Sequence, residues 1–207
     1  MRPLPRVHAV TDARVLALDD LGVRAAAIAA AGSGVALHAR DRSAGGARLA
    51  SVARRFLALA RPPEAAVFVN GRPDVAGAVS AQGVQLGAHD LTPADARASF
   101  PVGWVGRSVH SLEEAEQAVE EGADFLLVGT IFPSSSHPGH PGAGAALVRD
   151  TARLGPPVIA IGGIDGERAA RMREAGAYGV AAIGALWHAV DPAAAALALL
   201  APWLEDA

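Results

Sequence analysis

The sequence contains no cysteine and no lysine, and these two absences limit the chemistry open to the protein. Without cysteine, disulfide bonds, thiolate nucleophiles and cysteine-ligated metal sites are excluded. Because all 18 basic residues are arginine, a Schiff base on a protein lysine is excluded as well.

Aromatic residues and long apolar runs are also scarce. Aromatics make up 4% of the chain and the net charge is −3, a composition that argues against a nucleic-acid-binding surface. Although 51% of the residues are hydrophobic, no stretch supplies the uninterrupted apolar run that a membrane span needs. The first six residues contain no apolar signal core. We therefore expect a cytoplasmic protein that binds neither nucleic acid nor membranes.

Short apolar runs recur at the spacing of alternating strands and helices. Eight such runs are Val7–Val10, Val35–His38, Val67–Asn70, Val84–Leu86, Val102–Val105, Phe125–Val128, Val158–Ile161 and Val180–Ile183. Helical patterns between them include Leu21–Ala31, Arg48–Leu59, Leu112–Glu121 and Ala145–Arg153. Eight strand–helix repeats in 207 residues predict an α/β fold, a minimal (β/α)8 TIM barrel forming a single domain over residues 1–207. A doubly wound open sheet is the alternative, since closure of the barrel is not encoded in the pattern.

Several helix ends carry recognisable capping residues. Ser111 followed by Glu114 is a capping box, and Thr92 with Asp95 opens the helix after the fourth strand in the same style. Gly122 lies where a helix is expected to end.

Glycines follow the last two predicted strands directly. Gly162 and Gly163 end one apolar run, and Gly184 ends the next. In a TIM barrel the loops after strands 7 and 8 commonly hold phosphate. We therefore expect a phosphate group against Gly163, Ile183 and Gly184.

Polar residues follow the other predicted strands, where a TIM barrel carries its chemistry. His38, Arg40 and Arg42 alternate after strand 2, so all three are expected on one side of an extended segment, where they would favour an anionic ligand. An equally open interpretation of each arginine is that it pairs with a neighbouring aspartate. The histidines have no spacing typical of a metal site, and Asp90 is too little for a dedicated Mg²⁺ cage, although one carboxylate plus a substrate phosphate can be enough.

Five segments together resemble the thiamin phosphate synthase/TenI superfamily along essentially the whole chain. They are His38-x-Arg40-x-Arg42, Val69-Asn70-Gly71-Arg72-x-Asp74, Gly106-Arg107-Ser108-Val109-His110-Ser111-Leu112-Glu113-Glu114-Ala115, Gly129-x-Ile131-Phe132 and Ala160-Ile161-Gly162-Gly163-Ile164. The resemblance implies a TIM barrel that acts on a thiazole phosphate. The synthase branch joins a pyrimidine diphosphate to the thiazole phosphate and needs Mg²⁺, whereas the TenI branch tautomerises a carboxythiazole phosphate without a metal.

Three departures from the synthase pattern favour the TenI branch. His38 and Arg42 replace glutamine and lysine after strand 2. Gly71 replaces an aspartate that binds the metal, whereas Asp90 matches the other metal-binding carboxylate. His137 stands where the synthase has a lysine that binds pyrophosphate. We therefore expect a thiazole tautomerase with no metal and no cofactor.

The resemblance also implies roles for individual residues. Ser134 and Ser136 would join the glycines on the phosphate, Arg40 and Arg42 would hold the substrate carboxylate, and Asn70 and Ser108 would orient the ring. The TenI branch carries a proton-transferring histidine at the position of Thr130, whose hydroxyl is too weak an acid or base to replace it.

The proton carrier is therefore expected elsewhere, at His137 first and then at His110. Two alternatives stay open: a Mg²⁺-dependent thiamin phosphate synthase that uses Asp90, and a non-catalytic regulatory protein that binds a phosphorylated ligand. Superfamily members are often dimers, so the expected partners are a small phosphorylated thiazole and a second copy of the chain.

Overall fold

Residues 3–61, 64–134, 139 and 141–204 are described by a computed structural model, and within them eight parallel strands close into a barrel. The strands are β1 (Val7–Val10), β2 (Val35–Ala39), β3 (Ala66–Asn70), β4 (Gly83–Leu86), β5 (Trp104–Val109), β6 (Phe125–Val128), β7 (Val158–Ile161) and β8 (Gly179–Ala182). Each strand pairs with the next, and β8 pairs with β1 through Val7 and Val180. The TIM barrel is confirmed, and the open sheet is wrong.

Helices lie between the strands and follow the last of them. They are α1 (Ala13–Leu16), α2 (Leu21–Ala29), α3 (Gly46–Ala60), α4 (Pro73–Ala78), α5 (Pro93–Ala96), α6 (Leu112–Glu120), α7 (Gly144–Ala152), α8 (Gly166–Glu174), α9 (Gly184–Trp187) and α10 (Pro192–Leu200), with 3-10 turns at Gly32–Gly34 and Ala201–Trp203. Among these described helices, none has the length and hydropathy to cross a lipid bilayer.

The barrel interior is filled by rings rather than by aliphatic layers alone. Phe68 and Phe125 pack at a centroid distance of 5.9 Å, and the buried imidazoles of His8 and His38 lie against them. Gly83 and Gly106 make room for these rings, because a Cβ at either position would overlap the facing phenyl group. A larger apolar layer, which includes Phe56 and Trp187, fills the space between the barrel and its helices.

Capping residues lie at the helix starts and ends that the sequence predicts. The Ser111 hydroxyl accepts from Glu114 N at 3.1 Å, and the Thr92 hydroxyl accepts from Asp95 N at 3.1 Å. Gly122 follows the end of α6 with φ +83°, a left-handed conformation that glycine adopts without strain.

The fifth strand differs from the sequence prediction. Val102 is 80% exposed and Gly103 turns the chain with φ +118°, so β5 starts only at Trp104 and continues to Val109. Its polar residues Arg107 and Ser108 belong to the sheet, where they pair with Leu126 and Leu127 of β6. Ser108 therefore lies inside β5 rather than after it.

Candidate functional site

The predicted site residues that the structure describes gather at one end of the barrel, where the strands terminate. They are Arg40, Arg42, Asn70, Asp90, Ser108, His110, Thr130, Ser134, Gly163, Ile183 and Gly184. His38 is the penultimate residue of β2 and is fully buried, so it lies deeper in the barrel than these residues. Ser136 and His137 lie outside the described residues, and their predicted roles stay predictions.

Arg40 is anchored to the neighbouring β1 loop. Its backbone N–H donates to the Thr11 hydroxyl at 2.9 Å, and its guanidinium Nη1 lies 3.4 Å from the Thr11 carbonyl oxygen. The side chain is half-buried. The first contact holds the Arg40 backbone, and the longer second contact places the guanidinium beside the β1 loop.

Several charges surround Arg40. Burial lowers the pKa of its guanidinium, and the neighbouring Arg42 adds to this effect, whereas Asp12, Asp41 and Asp90 oppose it. The group stays cationic at neutral pH, because a guanidinium is not deprotonated in proteins. Arg42 itself is exposed. The mouth therefore carries one half-buried and one solvated positive charge.

His38 lies in a different environment from its two arginine neighbours. It is 0% exposed, and its Nδ1 lies 2.9 Å from Asn70 Oδ1. Burial lowers the pKa of His38 to about 4, with Arg40 contributing to the decrease, so the imidazole is neutral at physiological pH. Binding of an anion by a His38 charge is therefore not supported, and Asn70 is the group through which His38 reaches a ligand. The alternation of His38 with Arg40 and Arg42 in the sequence does not indicate that His38 is fully buried.

Asp90 and Gly71 face each other at the ends of β4 and β3. Asp90 Oδ2 accepts from Gly87 N at 2.6 Å. Gly71 has φ +72°, and a Cβ at this position would lie 3.2 Å from Asp90 Oδ2 and 3.3 Å from Oδ1. A carboxylate side chain at position 71 would therefore share the site with Asp90. In the described part of the chain, no three or more histidine and acidic side chains form a group that could hold a metal.

Arg107 is a supporting residue that the sequence interpretation did not single out. Its guanidinium donates to the carbonyl oxygens of Gly87 at 2.8 Å, Leu91 at 3.0 Å and Ala88 at 3.2 Å. These bonds fix the loop that carries Asp90. A charged residue inside a predicted strand next to a predicted site is the sequence signal for this role.

Ser108 is held from the neighbouring strand. Gln85, which is 1% exposed, donates from Nε2 to the Ser108 hydroxyl at 3.0 Å. Its other amide atom, Oε1, is buried without a hydrogen-bond partner among the described residues. This pair orients the serine hydroxyl near the rim.

The two described candidates for proton transfer are poorly suited to it. The imidazole of His110 is 58% exposed, and its Nδ1 lies 3.0 Å from Glu114 Oε2, which also accepts from His110 N. His110 thus belongs to the capping interaction that opens α6. Thr130 accepts through its carbonyl oxygen from Ala143 N at 2.8 Å, and its hydroxyl does not titrate near neutrality.

The glycines on the β7 and β8 side have different causes. A Cβ at Gly163 would lie 2.5 Å from the Pro133 carbonyl oxygen, and one at Gly162 would lie 2.7 Å from Thr130 Cγ2, so the β6 loop explains both. At Gly184 the nearest atom would be His188 Cδ2 at 3.8 Å, so no protein contact requires glycine there. Ser134 follows Pro133 in the same loop, and its Oγ is buried without a hydrogen-bond partner among the described residues.

Comparison with known proteins gives these features a context. The family described as thiamine monophosphate synthase matches residues 7–186. A thiamine-phosphate synthase of Thermus thermophilus is 46% identical over 151 residues, which are 72% of this chain and 73% of that protein. One from Salinispora tropica is 40% identical over 206 residues, 97% and 98% of the two chains. A solved thiamine phosphate pyrophosphorylase from Pyrococcus furiosus has a TM-score of 0.80 and 31% identity, and the match covers 97% of this chain and 96% of that one.

These relatives do not support the branch that the sequence departures favoured. They are named as synthases, and none of these three names supports the TenI tautomerase branch that the departures at positions 38, 71 and 137 favoured. The match over nearly the whole chain and the barrel architecture agree on the superfamily. The chain belongs to the thiamine monophosphate synthase family.

Proposed function

We propose that this protein is a thiamine-phosphate synthase, a transferase that joins a pyrimidine diphosphate to a thiazole phosphate. A bond forms between the two ring systems while the bond to the diphosphate breaks, and pyrophosphate leaves with the electron pair. The observation that carries the proposal is the identity of 40% over almost the full length of a relative of that name.

The charge on the leaving diphosphate has a natural partner in the arginines after β2. The backbone of Arg40 is bound to the Thr11 hydroxyl, and Arg42 is exposed to solvent. Guanidinium groups bind phosphate oxygens in pairs of hydrogen bonds, and such bonds are stronger than those between neutral groups. Arg40 and Arg42 would therefore bind the diphosphate, in place of the carboxylate expected from the tautomerase interpretation.

The opposite side of the mouth is suited to the phosphate that does not react. The turn after β8 opens α9 at Gly184, and the first N–H groups of a helix have no partner within the helix. Together with Gly163, Ile183 and the Ser134 hydroxyl, they would bind the thiazole phosphate. Asn70 and Ser108 would orient a ring between the two anionic groups.

The residues at Asp90 fit a magnesium ion in a minimal form. Mg²⁺ is commonly held by one or two carboxylates together with substrate phosphates and water. Asp90 supplies one carboxylate, and Gly71, which carries no side chain, adds no second one, so the other ligands would come from the diphosphate and water. When bound there, the ion would neutralise charge on the departing pyrophosphate.

The absence of a strong acid–base group at Thr130 supports a transferase over a tautomerase. Transfer of the pyrimidine group displaces pyrophosphate and needs no proton shuttle to a ring carbon, whereas tautomerisation does. Thr130 cannot provide that shuttle, and His110 is engaged with Glu114. The described site therefore matches the reaction that needs least from acid–base catalysis.

The Asp90→Asn variant tests this function. Asparagine keeps an oxygen for Gly87 N but removes the negative charge that would hold the metal, so we expect thiamine phosphate formation to fall roughly 100-fold. Asp150→Asn, at an exposed pair with Arg153 on α7, is the matched control and should retain full activity. The proposal fails if Asp90→Asn forms product at the rate of the control.

Tautomerisation is the second candidate, and Gly71 is the observation that favours it, because it leaves the metal site with a single carboxylate. Gly71→Asp separates the two. In a synthase, a second carboxylate beside Asp90 should lower the Mg²⁺ concentration for half-maximal activity by about 3- to 10-fold. The left-handed backbone tolerates aspartate better than most residues, so the variant should fold. Turnover of a carboxythiazole phosphate that is indifferent to both EDTA and Gly71→Asp would instead support the tautomerase.

A further inference from the structure

A chain of hydrogen-bonding groups runs through the barrel interior to the rim. His8 Nε2 lies 3.0 Å from the Pro5 carbonyl oxygen, and His8 Nδ1 lies 2.8 Å from His38 Nε2. His38 Nδ1 in turn meets the amide of Asn70 at 2.9 Å. Both histidines are fully buried, so water does not compete for these groups.

The rings around the two histidines keep them neutral. His38 stacks on Phe68 at a centroid distance of 4.9 Å, and the His8 ring lies 5.3 Å from Phe68 and 5.7 Å from Phe125. A charge inside this apolar shell would cost several kcal/mol of solvation. Burial accordingly lowers the pKa of His8 well below its usual value and that of His38 to about 4.

Neutrality determines the direction of every bond in the chain. The Pro5 carbonyl can only accept, so His8 carries its hydrogen on Nε2 and offers a lone pair at Nδ1. His38 Nε2 must then donate to His8, which leaves a lone pair at His38 Nδ1. The outermost imidazole therefore demands a donor from Asn70.

The two ends of an asparagine amide have the same shape, and only one of them satisfies this demand. If Oδ1 faces His38 Nδ1, either an imidazole is charged or the His8 lone pair opposes the Pro5 carbonyl. If Nδ2 faces it, every bond pairs a donor with an acceptor. Oδ1 then lies on the side of the amide directed away from the imidazole.

We propose that His8 and His38 form a positioning relay that holds Nδ2 of Asn70 inward and its Oδ1 toward the mouth of the barrel. Asn70 would thereby accept a hydrogen bond from a ligand N–H or O–H group and disfavour a ligand that presents an acceptor at that point. His8 and His38 are positioning residues, because neither is exposed to a ligand. The idea that Asn70 selects a substrate ring by this hydrogen bond rests on the proposed function.

The direction of the relay is measured independently of activity. Long-range proton–nitrogen spectra of the ¹⁵N-labelled protein at pH 7 distinguish protonated from unprotonated imidazole nitrogens, and His8→Phe and His38→Gln assign the signals. We expect both histidines to carry a proton on Nε2 alone. A proton on His38 Nδ1, alone or with one on Nε2, would overturn the relay and leave the synthase proposal intact.

A second arm measures the effect on ligand binding. His38→Gln keeps an acceptor for Asn70, whereas His38→Leu does not. We expect KM of the ring substrate to rise about 10-fold in His38→Leu with kcat within about threefold, and to rise less than about threefold in His38→Gln, the difference reflecting one oriented hydrogen bond. Asp150→Asn, at an exposed residue on α7, is the control. Equal KM values for folded His38→Leu and the control would contradict the relay, and if that variant does not fold the spectra of the wild-type protein decide.

Discussion

Two edges of the barrel mouth are built from different parts of the chain. The side-chain edge consists of Arg40, Arg42, Asn70 and Asp90 at the ends of β2, β3 and β4. The backbone edge consists of Gly163, Ile183 and Gly184, after β7 and β8. Charged side chains suit the diphosphate, whose charge is redistributed when it leaves, because guanidinium and carboxylate groups interact with it electrostatically. Backbone N–H groups suit an anion that is only held.

The difference matters for how each edge tolerates change. The side-chain edge rests on a buried relay and on Thr11 and Arg107, so its geometry depends on several partners. The backbone edge depends on the space beside two glycines, one filled by the β6 loop and the other open. Substitutions in the side-chain edge should therefore alter kcat/KM or the pH dependence of stability. Substitutions in the backbone edge should alter KM or the free energy of unfolding.

The largest expected effect concerns the buried base of the side-chain edge and its response to pH. Unfolded His38 takes up a proton near pH 6.5, whereas the folded residue does so only near pH 4. The contribution of His38 to the free energy of unfolding is therefore fully present above pH 6.5. It falls as the pH drops toward 4, by about 1.4 kcal/mol per pH unit and about 3 kcal/mol in total.

Denaturant unfolding of the wild type and of His38→Gln between pH 7 and 4 measures this contribution. The wild type should lose about 3 kcal/mol more than the variant over that range, because glutamine at position 38 does not titrate. Parallel losses in the two proteins would show that His38 is not held neutral by the fold.

Arg40→Ala tests the side-chain edge itself. Loss of the guanidinium should lower kcat/KM roughly 100-fold, as charge-assisted bonds to phosphate oxygens disappear. Arg153→Ala, at an exposed residue directly after α7, is the matched control and should change nothing. If Arg40→Ala stays within threefold of the control, the diphosphate is bound elsewhere.

The smallest effect is expected at the backbone edge. Gly184→Ala adds a methyl group in open space and places a better helix former in α9, so stability should not fall. If the thiazole phosphate is bound there, its KM should rise about 10-fold through crowding of the anion.

Gly163→Ala provides the contrast. Its added Cβ would press on the Pro133 carbonyl oxygen at a φ of +63°, so this variant should lose stability by about 1 kcal/mol or more. An unchanged KM in Gly184→Ala would remove Gly184 from the phosphate site.

The sequence predicted the parts of this architecture that local patterns control. Apolar runs located the strands, and Ser111 and Thr92 located helix starts to the residue. The start of β5 was missed because Val102 continues an apolar run past the point where Gly103 turns the chain.

Non-local contacts account for what the sequence left undetermined. His38 alternates with two arginines, yet only the closed barrel shows that it lies on Phe68 and bonds to His8, which is 30 residues away. Gly163 was interpreted as a phosphate ligand alone, and the structure adds a packing cause that depends on the β6 loop. Similarity over the whole chain established the family, because single departures such as Gly71 affect one group each.

Product analysis of the wild-type protein tests the central claim most directly. The protein is incubated with Mg²⁺, the pyrimidine diphosphate and the thiazole phosphate, and separately with a carboxythiazole phosphate alone, and the products are identified by mass spectrometry. The synthase proposal predicts thiamine phosphate and one equivalent of pyrophosphate in the first reaction, abolished by EDTA, and no isomerisation in the second. Isomerised thiazole in the second reaction, with no coupled product in the first, would contradict it.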